Sequence, residues 1–276
     1  MHSRSAISVK PSRRLPGWLQ AAFVPTWAWV AYGLMVVPCI LVIPMSFAGE
    51  DQLVFPPRQF SLDLYRKFFG SVVWMEALKQ SVVVASGTAV LATCIGVSAA
   101  YGFVRGRFFG RSVIGFLLFS PMLVPAVVLA LGVYLYFARL GLTSTTLGIV
   151  FAHTVLTLPF VVVTSSSGMR QIDVNVELAA TMMGASRFVI LTRVVLPQVW
   201  PSVLASALLA FLISFDEAVL TWFIAGAGTA TLPVVMFSSL KSEVSPIIAA
   251  AATLLMTTTM LLSLIIALLT KRASDE

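Results

Sequence analysis

An all-α integral membrane protein with six transmembrane helices is the fold class this sequence predicts, and three observations predict it. Hydrophobic residues make up 59% of the 276 and charged residues only 11%, against roughly 25% charged in a soluble domain. Mean hydropathy is +0.97. Six apolar segments are each long enough to cross a hydrocarbon core of about 30 Å, which takes roughly 20 helical residues.

The spans are expected over 26–48, 80–103, 113–138, 146–168, 199–225 and 247–270. A basic tail, 1–25, precedes the first, which carries Trp27 and Trp29 at one end, where amphipathic rings suit the membrane interface. Reading that span as a signal peptide cut near Ser46-Phe47-Ala48 is disfavoured by its long apolar run and extended leader. Residues 49–79 follow as a polar connection, with the turn-forming pair Pro56-Pro57; they are expected to pack on a partner or shape an outer vestibule. The second span ends at the basic cluster Arg105, Arg107 and Arg111, and the third contains Pro121 and Pro125. The fourth contains His153 and Pro159, the fifth is flanked by Trp200 and Trp222, and the sixth runs into the tail 271–276. Prolines within spans, Pro38 and Pro44 included, free carbonyls and bend their helices. Cys39 and Cys94 lie in apolar stretches and suggest packing, with no disulfide framework or zinc site.

Charge sets the orientation. One side of the six spans holds Arg4, Lys10, Arg13, Arg14, Arg105, Arg107, Arg111, Arg170, Arg187, Arg193, Lys271 and Arg272. The other holds Arg58, Arg66, Lys67, Lys79, Arg139 and Lys241. Twelve basic residues against six put both termini in the cytoplasm by the positive-inside rule. The same distribution accounts for the net charge of +7 as basic loops beside anionic headgroups, with no need of a nucleic-acid partner.

Chemistry for catalysis is scarce. His2 lies in the tail and His153 within an apolar span, so neither a metal site nor a nucleophile triad has its material. Lys10, Lys67, Lys79, Lys241 and Lys271 follow Val, Arg, Leu, Leu and Thr, so no lysine follows a glycine and no Walker-A loop exists. The chain therefore reads as no enzyme and binds no cofactor of its own; any ATP that drives it is hydrolysed by another chain.

Two stretches carry the functional signal. In the first, Glu177-Leu178-Ala179-Ala180-Thr181-Met182-Met183-Gly184-Ala185-Ser186 leads through Phe188 to Val194-Val195-Leu196-Pro197. Gly184 suits the residue after a helix end, Ser186 suits the N-cap of the next helix, and Pro197 stops or kinks it. In the second, Ser214-Phe215-Asp216-Glu217 sets two adjacent acids in the fifth span. A carboxylate near the bilayer centre costs on the order of 2.5–3.5 kcal/mol, so both acids need a partner or water. Along a continuous helix their neighbours at three and four residues are Leu212, Ile213, Val219 and Leu220 for Asp216, and Ile213, Ser214, Leu220 and Thr221 for Glu217. None is a cation. The countercharge must come from another segment, another subunit or a transported solute, and the roughly 100° between consecutive side chains gives the two acids different roles.

Ala179, Ala180, Gly184, Val194, Leu196 and Pro197 resemble the cytoplasmic EAA loop of the membrane subunits of ABC importers. Leu178 stands where that motif places its glutamate, and Glu177 is one residue early. The resemblance implies a coupling helix, residues 169–198 as a whole, that docks on an ATPase through Glu177, Ala179, Ala180, Gly184, Ala185, Ser186, Leu196 and Pro197. Ser214–Glu217, Gly226-Ala227-Gly228-Thr229, Thr231-Leu232-Pro233, Phe237–Leu240 and Val244-Ser245-Pro246 are similar to the polyamine (spermidine/putrescine) branch of type I ABC importer permeases. Similarity extends from the first span to the last. Gly226-Ala227-Gly228 departs from the Gly-Pro-Gly expected there.

What the resemblance implies is a type I ABC importer permease fold in a bacterial inner membrane, with residues 226–246 as an external re-entrant or loop element. The implied partners are a second permease subunit, two cytoplasmic ATPase subunits carrying ATP and Mg, an extracytoplasmic solute-binding protein and membrane lipid. The implied cargo is a small, cationic amino compound such as putrescine or spermidine, or a related amine or opine. Asp216, Glu217, Ser214 and Trp222 are the residues expected at the pathway. A reading from a different class stays open at this point: an autonomous secondary transporter or channel using Asp216 and Glu217 for proton or cation coupling.

Overall fold

The computed structural model describes residues 17–49, 55–57, 59–242 and 245–275, with side chains over 25–49, 55–57, 59–241 and 245–270. His2, Arg4, Lys10, Arg13, Arg14, Arg58 and Val244 lie outside the described residues, as do the side chains of Lys271 and Arg272.

Four spans are continuous helices: α1 (Gly17–Ser46), α3 (Val72–Arg105), α6 (Thr146–Gln171) and α12 (Ile247–Asp275). A short helix, α2 (Asp63–Gly70), precedes α3 and buries Leu64 and Phe68, the latter against this chain's own Trp74, Leu232 and Ile248. The expected third span, 113–138, is not one helix. It divides into α4 (Arg111–Met122) and α5 (Ala126–Arg139), which turn by 109°. Pro125 explains the break: its ring disfavours helix at Val124, and its carbonyl then accepts from the Val128 and Leu129 N–H groups to start α5.

The expected fifth span, 199–225, is also divided. Residues 173–198 form α7 (Val174–Met182) and α8 (Arg187–Gln198), and the chain turns 84° at Val199, between Pro197 and Pro201, into α9 (Trp200–Phe215). Asp216, Glu217 and Ala218 then leave the helix before a short α10 (Val219–Ile224). The two acids are therefore not side chains of one continuous helix, and the neighbours counted along such a helix do not apply. A last element, α11 (Leu232–Ser242), follows the turn at 226–229.

Small residues bring α3, α6 and α9 together. A Cβ on Gly96 of α3 would stand 2.5 Å from Val161 Cγ1 of α6, and one on Gly168 of α6 would stand 2.4 Å from Ser202 Oγ of α9. Ser165 Oγ donates to Ser206 Oγ at 3.1 Å deeper along the same seam. Lipid tails are as apolar as leucine, so such close approach and interhelical hydrogen bonding, rather than hydrophobic exclusion, hold membrane helices together. Contacts Gln80–Thr146, Thr88–Val150 and Arg105–Met169 advance along both chains, so α3 and α6 run parallel. Ser202 beside Gly168 and Ser214 beside His153 show α9 running antiparallel to α6.

That topology puts residues 173–198 at one end of the bundle and α2, α11 and the 226–229 turn at the other, where Ser81 Oγ accepts from the Leu232 N–H at 2.7 Å. Outward faces of α1 and α12, including Trp29, Leu34, Met260 and Leu264, are exposed and apolar, as lipid or a second membrane subunit requires.

Replacing Gly96 by leucine should force α3 from α6 and cost about 1–3 kcal/mol by overpacking. Gly33→Ala, in open space on α1, should be neutral. Thermal unfolding of the purified membrane protein in detergent checks both, and equal midpoints would contradict the seam.

Candidate functional sites at the broken helix and the 173–198 segment

Inside the bundle the break after α9 is built around Glu217. Its Oε1 accepts from the N–H groups of Val219 and Leu220 at 2.9 and 3.0 Å, and its Oε2 accepts from that of Thr221 at 3.1 Å. These are the unpaired donors of the first turn of α10, which lack partners inside their own helix. His153, fully buried on α6, reaches the same place: one ring nitrogen pairs with Ser214 Oγ at 2.7 Å, and Nε2 lies 2.8 Å from Thr221 Oγ1 and 3.5 Å from Glu217 Oε2. Glu217 thus finds its partners in another segment and in backbone N–H groups. Ser214 belongs to this buried lattice and faces the histidine.

Asp216 behaves differently. It is exposed, caps the C-terminus of α9 through its backbone N–H, and its carboxylate makes no hydrogen bond or ion pair among the described residues. It lines a cleft of about 340 Å³ with Leu212, Ile213, Glu217 and Thr259. One acid is consumed in holding the fold; its neighbour keeps an exposed carboxylate. Trp222, at the far end of α10, stands apart from this cleft against Phe237 of α11.

At the opposite end, α7 closes with Gly184 at φ +84°. The Gly184 N–H donates to Thr181 O and the Ala185 N–H to Ala180 O, the paired bonds of a Schellman ending. Ser186 Oγ accepts from the Val189 N–H and opens α8, whose turns widen to a π-helical stretch over Ile190–Val195. Ala180 is buried, Ala185 and Leu196 pack partly buried on the same apolar cluster, and Ala179, Gly184, Ser186 and Pro197 are exposed.

Glu177 points inward. Arg105 Nε at the end of α3 donates to Glu177 Oε1 at 2.7 Å, and Tyr101 Oη donates to Oε2 at 3.3 Å. The other arm of the guanidinium donates to Met169 O and Ile172 O at 3.1 and 3.0 Å. One residue of offset, about 100° of rotation, separates this buried acid from Leu178. The outer face of the segment is apolar: Leu178 is 51% exposed, Met182 85%, Met183 82% and Phe188 74%. Sequence reasoning missed Arg105 and Tyr101, since nothing in a one-dimensional pattern pairs positions 72 and 76 residues apart; exposed Met182 and Met183, in a segment set off by glycine, were the signal available for the outer face.

The chain is thus a bundle of close-packed apolar helices with a bent, glycine-divided segment at one end and a broken helix that bears two acids. A family model described as the binding-protein-dependent transport system inner membrane component matches residues 92–275, and the chain belongs to that family. It is 32% identical over 218 residues to the spermidine/putrescine transport system permease protein PotC of Haemophilus influenzae, covering 79% of this chain and 84% of the relative. It is 30% identical over 224 residues to the putrescine transport system permease protein PotI of Escherichia coli K12, covering 79% of each.

The fold matches a bacterial ABC transporter involved in import of the acidic polysaccharide alginate, with TM-score 0.67 over 95% of this chain and 99% of that one at 16% identity. An inward-facing MetNI methionine ABC transporter superposes with TM-score 0.53 over 74% of this chain and 99% of that one at 15% identity. This chain is a multi-pass permease subunit of an ATP-driven ABC importer, a transport component and not an enzyme. That membership sets aside the autonomous transporter or channel.

Arg105→Ala should leave the buried carboxylate of Glu177 without its cation, with only Tyr101 still donating to it, and two carbonyls without their donor, a loss of about 3–5 kcal/mol for a broken buried pair. Faster proteolysis within 173–187 in the assembled protein is the expected readout; unchanged cleavage would show that the guanidinium does not hold α7.

Proposed function

We propose that this subunit, with a second permease, encloses the inner-membrane pathway of a bacterial importer for a small cationic amino compound, a polyamine such as putrescine or spermidine or a related amine or opine. The observation that carries the reading is Asp216: an exposed acid on a broken membrane helix, lining a cleft, beside an acid whose own needs are met. A carboxylate so placed is costly against lipid and suits a transient contact with an ammonium group. The relatives named for spermidine and putrescine support the same cargo.

In this reading both termini are cytoplasmic, and a solute-binding protein docks at the end formed by α2, α11 and the 226–229 turn. Two ATPase subunits, carrying ATP and Mg, dock at residues 173–198. Leu178, Met182, Met183 and Phe188 supply the apolar contact, while Glu177 works from within by fixing α7 to α3 through Arg105. Closure of the ATPases pushes α7 and α8, the push passes to α3 and α6, and the spans tilt to open the pathway outward. Hydrolysis resets it inward. Asp216 meets the cargo as it passes and releases it because a single exposed carboxylate holds an ammonium weakly.

Uptake of labelled putrescine or spermidine by cells carrying the complete importer tests the cargo contact. An exposed ion pair is worth up to about 1 kcal/mol, so Asp216→Asn should raise KM by up to about fivefold. Glu217→Gln should instead lower the amount of assembled subunit. Normal affinity and rate in both variants would sink the reading. For the ATPase contact, Met182→Asp should abolish co-purification of the ATPase subunits without altering the subunit's own thermal midpoint; retention of the ATPases would move the docking face elsewhere.

A further inference from the structure

The end of the bundle away from α7 carries a cluster that neither the pathway acid nor the coupling segment uses. Trp222, third from the end of α10, and Phe237 of α11 meet edge to face, with ring centroids 5.2 Å apart and planes at 88°. The ammonium of Lys241 lies 5.0 Å from the Trp222 centroid and 4.8 Å from that of Phe237. The three centres form a nearly equilateral triangle, two aromatic walls around one cation. Phe237 and Lys241 are four residues apart on α11 and share a face, so the lysine folds back along its own helix to fill the cage. It makes no ion pair among the described residues.

The rings remain reachable, Trp222 at 41% and Phe237 at 47% exposure, so a cation lying against them can be exchanged. Two rings each within about 5 Å of one ammonium offer a cation site by chemistry, because the ring quadrupole attracts a cation that is not tied to a carboxylate. The cage is also joined to the acids: Trp222 rides on the short helix whose first turn is held by Glu217 and which begins just after Asp216.

We propose that Trp222 and Phe237 form an ammonium-binding subsite at the mouth of the pathway, occupied at rest by the Lys241 side chain as a built-in stand-in and vacated for the primary ammonium of an arriving amine. This deepens, and rests on, the reading of the cargo as an organic ammonium compound. Lys241 and the cargo compete for one cage, so the lysine sets a threshold concentration for entry. No covalent step is involved. The ligand class is a primary ammonium, and a carboxylate or neutral sugar gains nothing there.

The test uses the assembled importer in detergent or nanodiscs and the amine chemistry of the lysine itself. Acetylation of Lys241 by a water-soluble acylating reagent is followed by mass spectrometry, with exposed Lys79 as internal reference, with and without putrescine or methylammonium. The proposal expects either amine to speed labelling of Lys241 about two- to fivefold relative to Lys79, the range of a surface cation–π contact. In Trp222→Leu, labelling should be fast with or without amine. Uptake gives a second arm: Lys241→Ala should lower KM for putrescine by a similar factor at unchanged maximal rate, and the gain should vanish in the double variant Lys241→Ala, Trp222→Leu.

Labelling of Lys241 that no amine alters overturns the subsite, and so does a gain in KM that survives the loss of Trp222. If putrescine is imported while Lys241 labelling ignores it, the subsite fails and the cargo reading stands. If amines release Lys241 but no amine is imported, the cargo reading fails and the ammonium cage stands.

Discussion

A break in a membrane helix survives only if the backbone groups it exposes find partners, because hydrocarbon offers none. The carboxylate of Glu217 meets that requirement by accepting three N–H groups at the start of α10. Much else depends on it. With α10 anchored there, its residues Leu220 and Ile224 are buried against Val84 and Ile149 of α3 and α6, Ser144 N–H donates to Ile224 O, and Trp222 is turned toward α11. His153 holds the arrangement from α6, bridging Ser214 before the break and Thr221 after it. A continuous helix would have needed no such support, since its N–H groups would pair along its own turns.

The division of labour between the adjacent acids follows from that arrangement. Glu217 has one more methylene than Asp216, enough to reach forward over the next turn and cap it, while the shorter Asp216 ends the preceding helix with its backbone and leaves its carboxylate in the cleft. Conformational strain is avoided in the same economical way at the neighbouring turn. Gly228 takes φ +85° as the third residue of 226–229, Thr229 N–H closes the turn on Gly226 O, and Thr229 Oγ1 accepts from the Gly226 N–H. The second position demands no positive φ, so Ala227 serves there in place of proline.

The sequence was most legible where hydrophobic length or a special backbone conformation decides the outcome. The four continuous spans, Gly184 at the end of α7 and Ser186 at the start of α8 follow from local chemistry that needs no third dimension. The two broken spans were not legible as such. Apolar length over 113–138 and 199–225 is the same for a straight helix and a bent one, and the break after Phe215 depends on His153, sixty-one positions from Ser214. The position of Glu177 was visible, and its inward role was not, because the deciding partner, Arg105, lies at the end of a different span. Pairings across the bundle carry no signal in a single chain of letters.

Parallel packing of α3 and α6 has an electrostatic cost of its own. Each helix ends in carbonyls that carry about half a negative charge, and a parallel pair sets two such ends side by side, where an antiparallel pair would alternate them. Arg105 is the answer this chain gives: its guanidinium terminates α3 and donates to Met169 O and Ile172 O at the close of α6. The cation is therefore demanded by the helix ends before Glu177 is counted. Glu177 joins a charge already in place, so residues 173–198 are moored to the common negative pole of two spans.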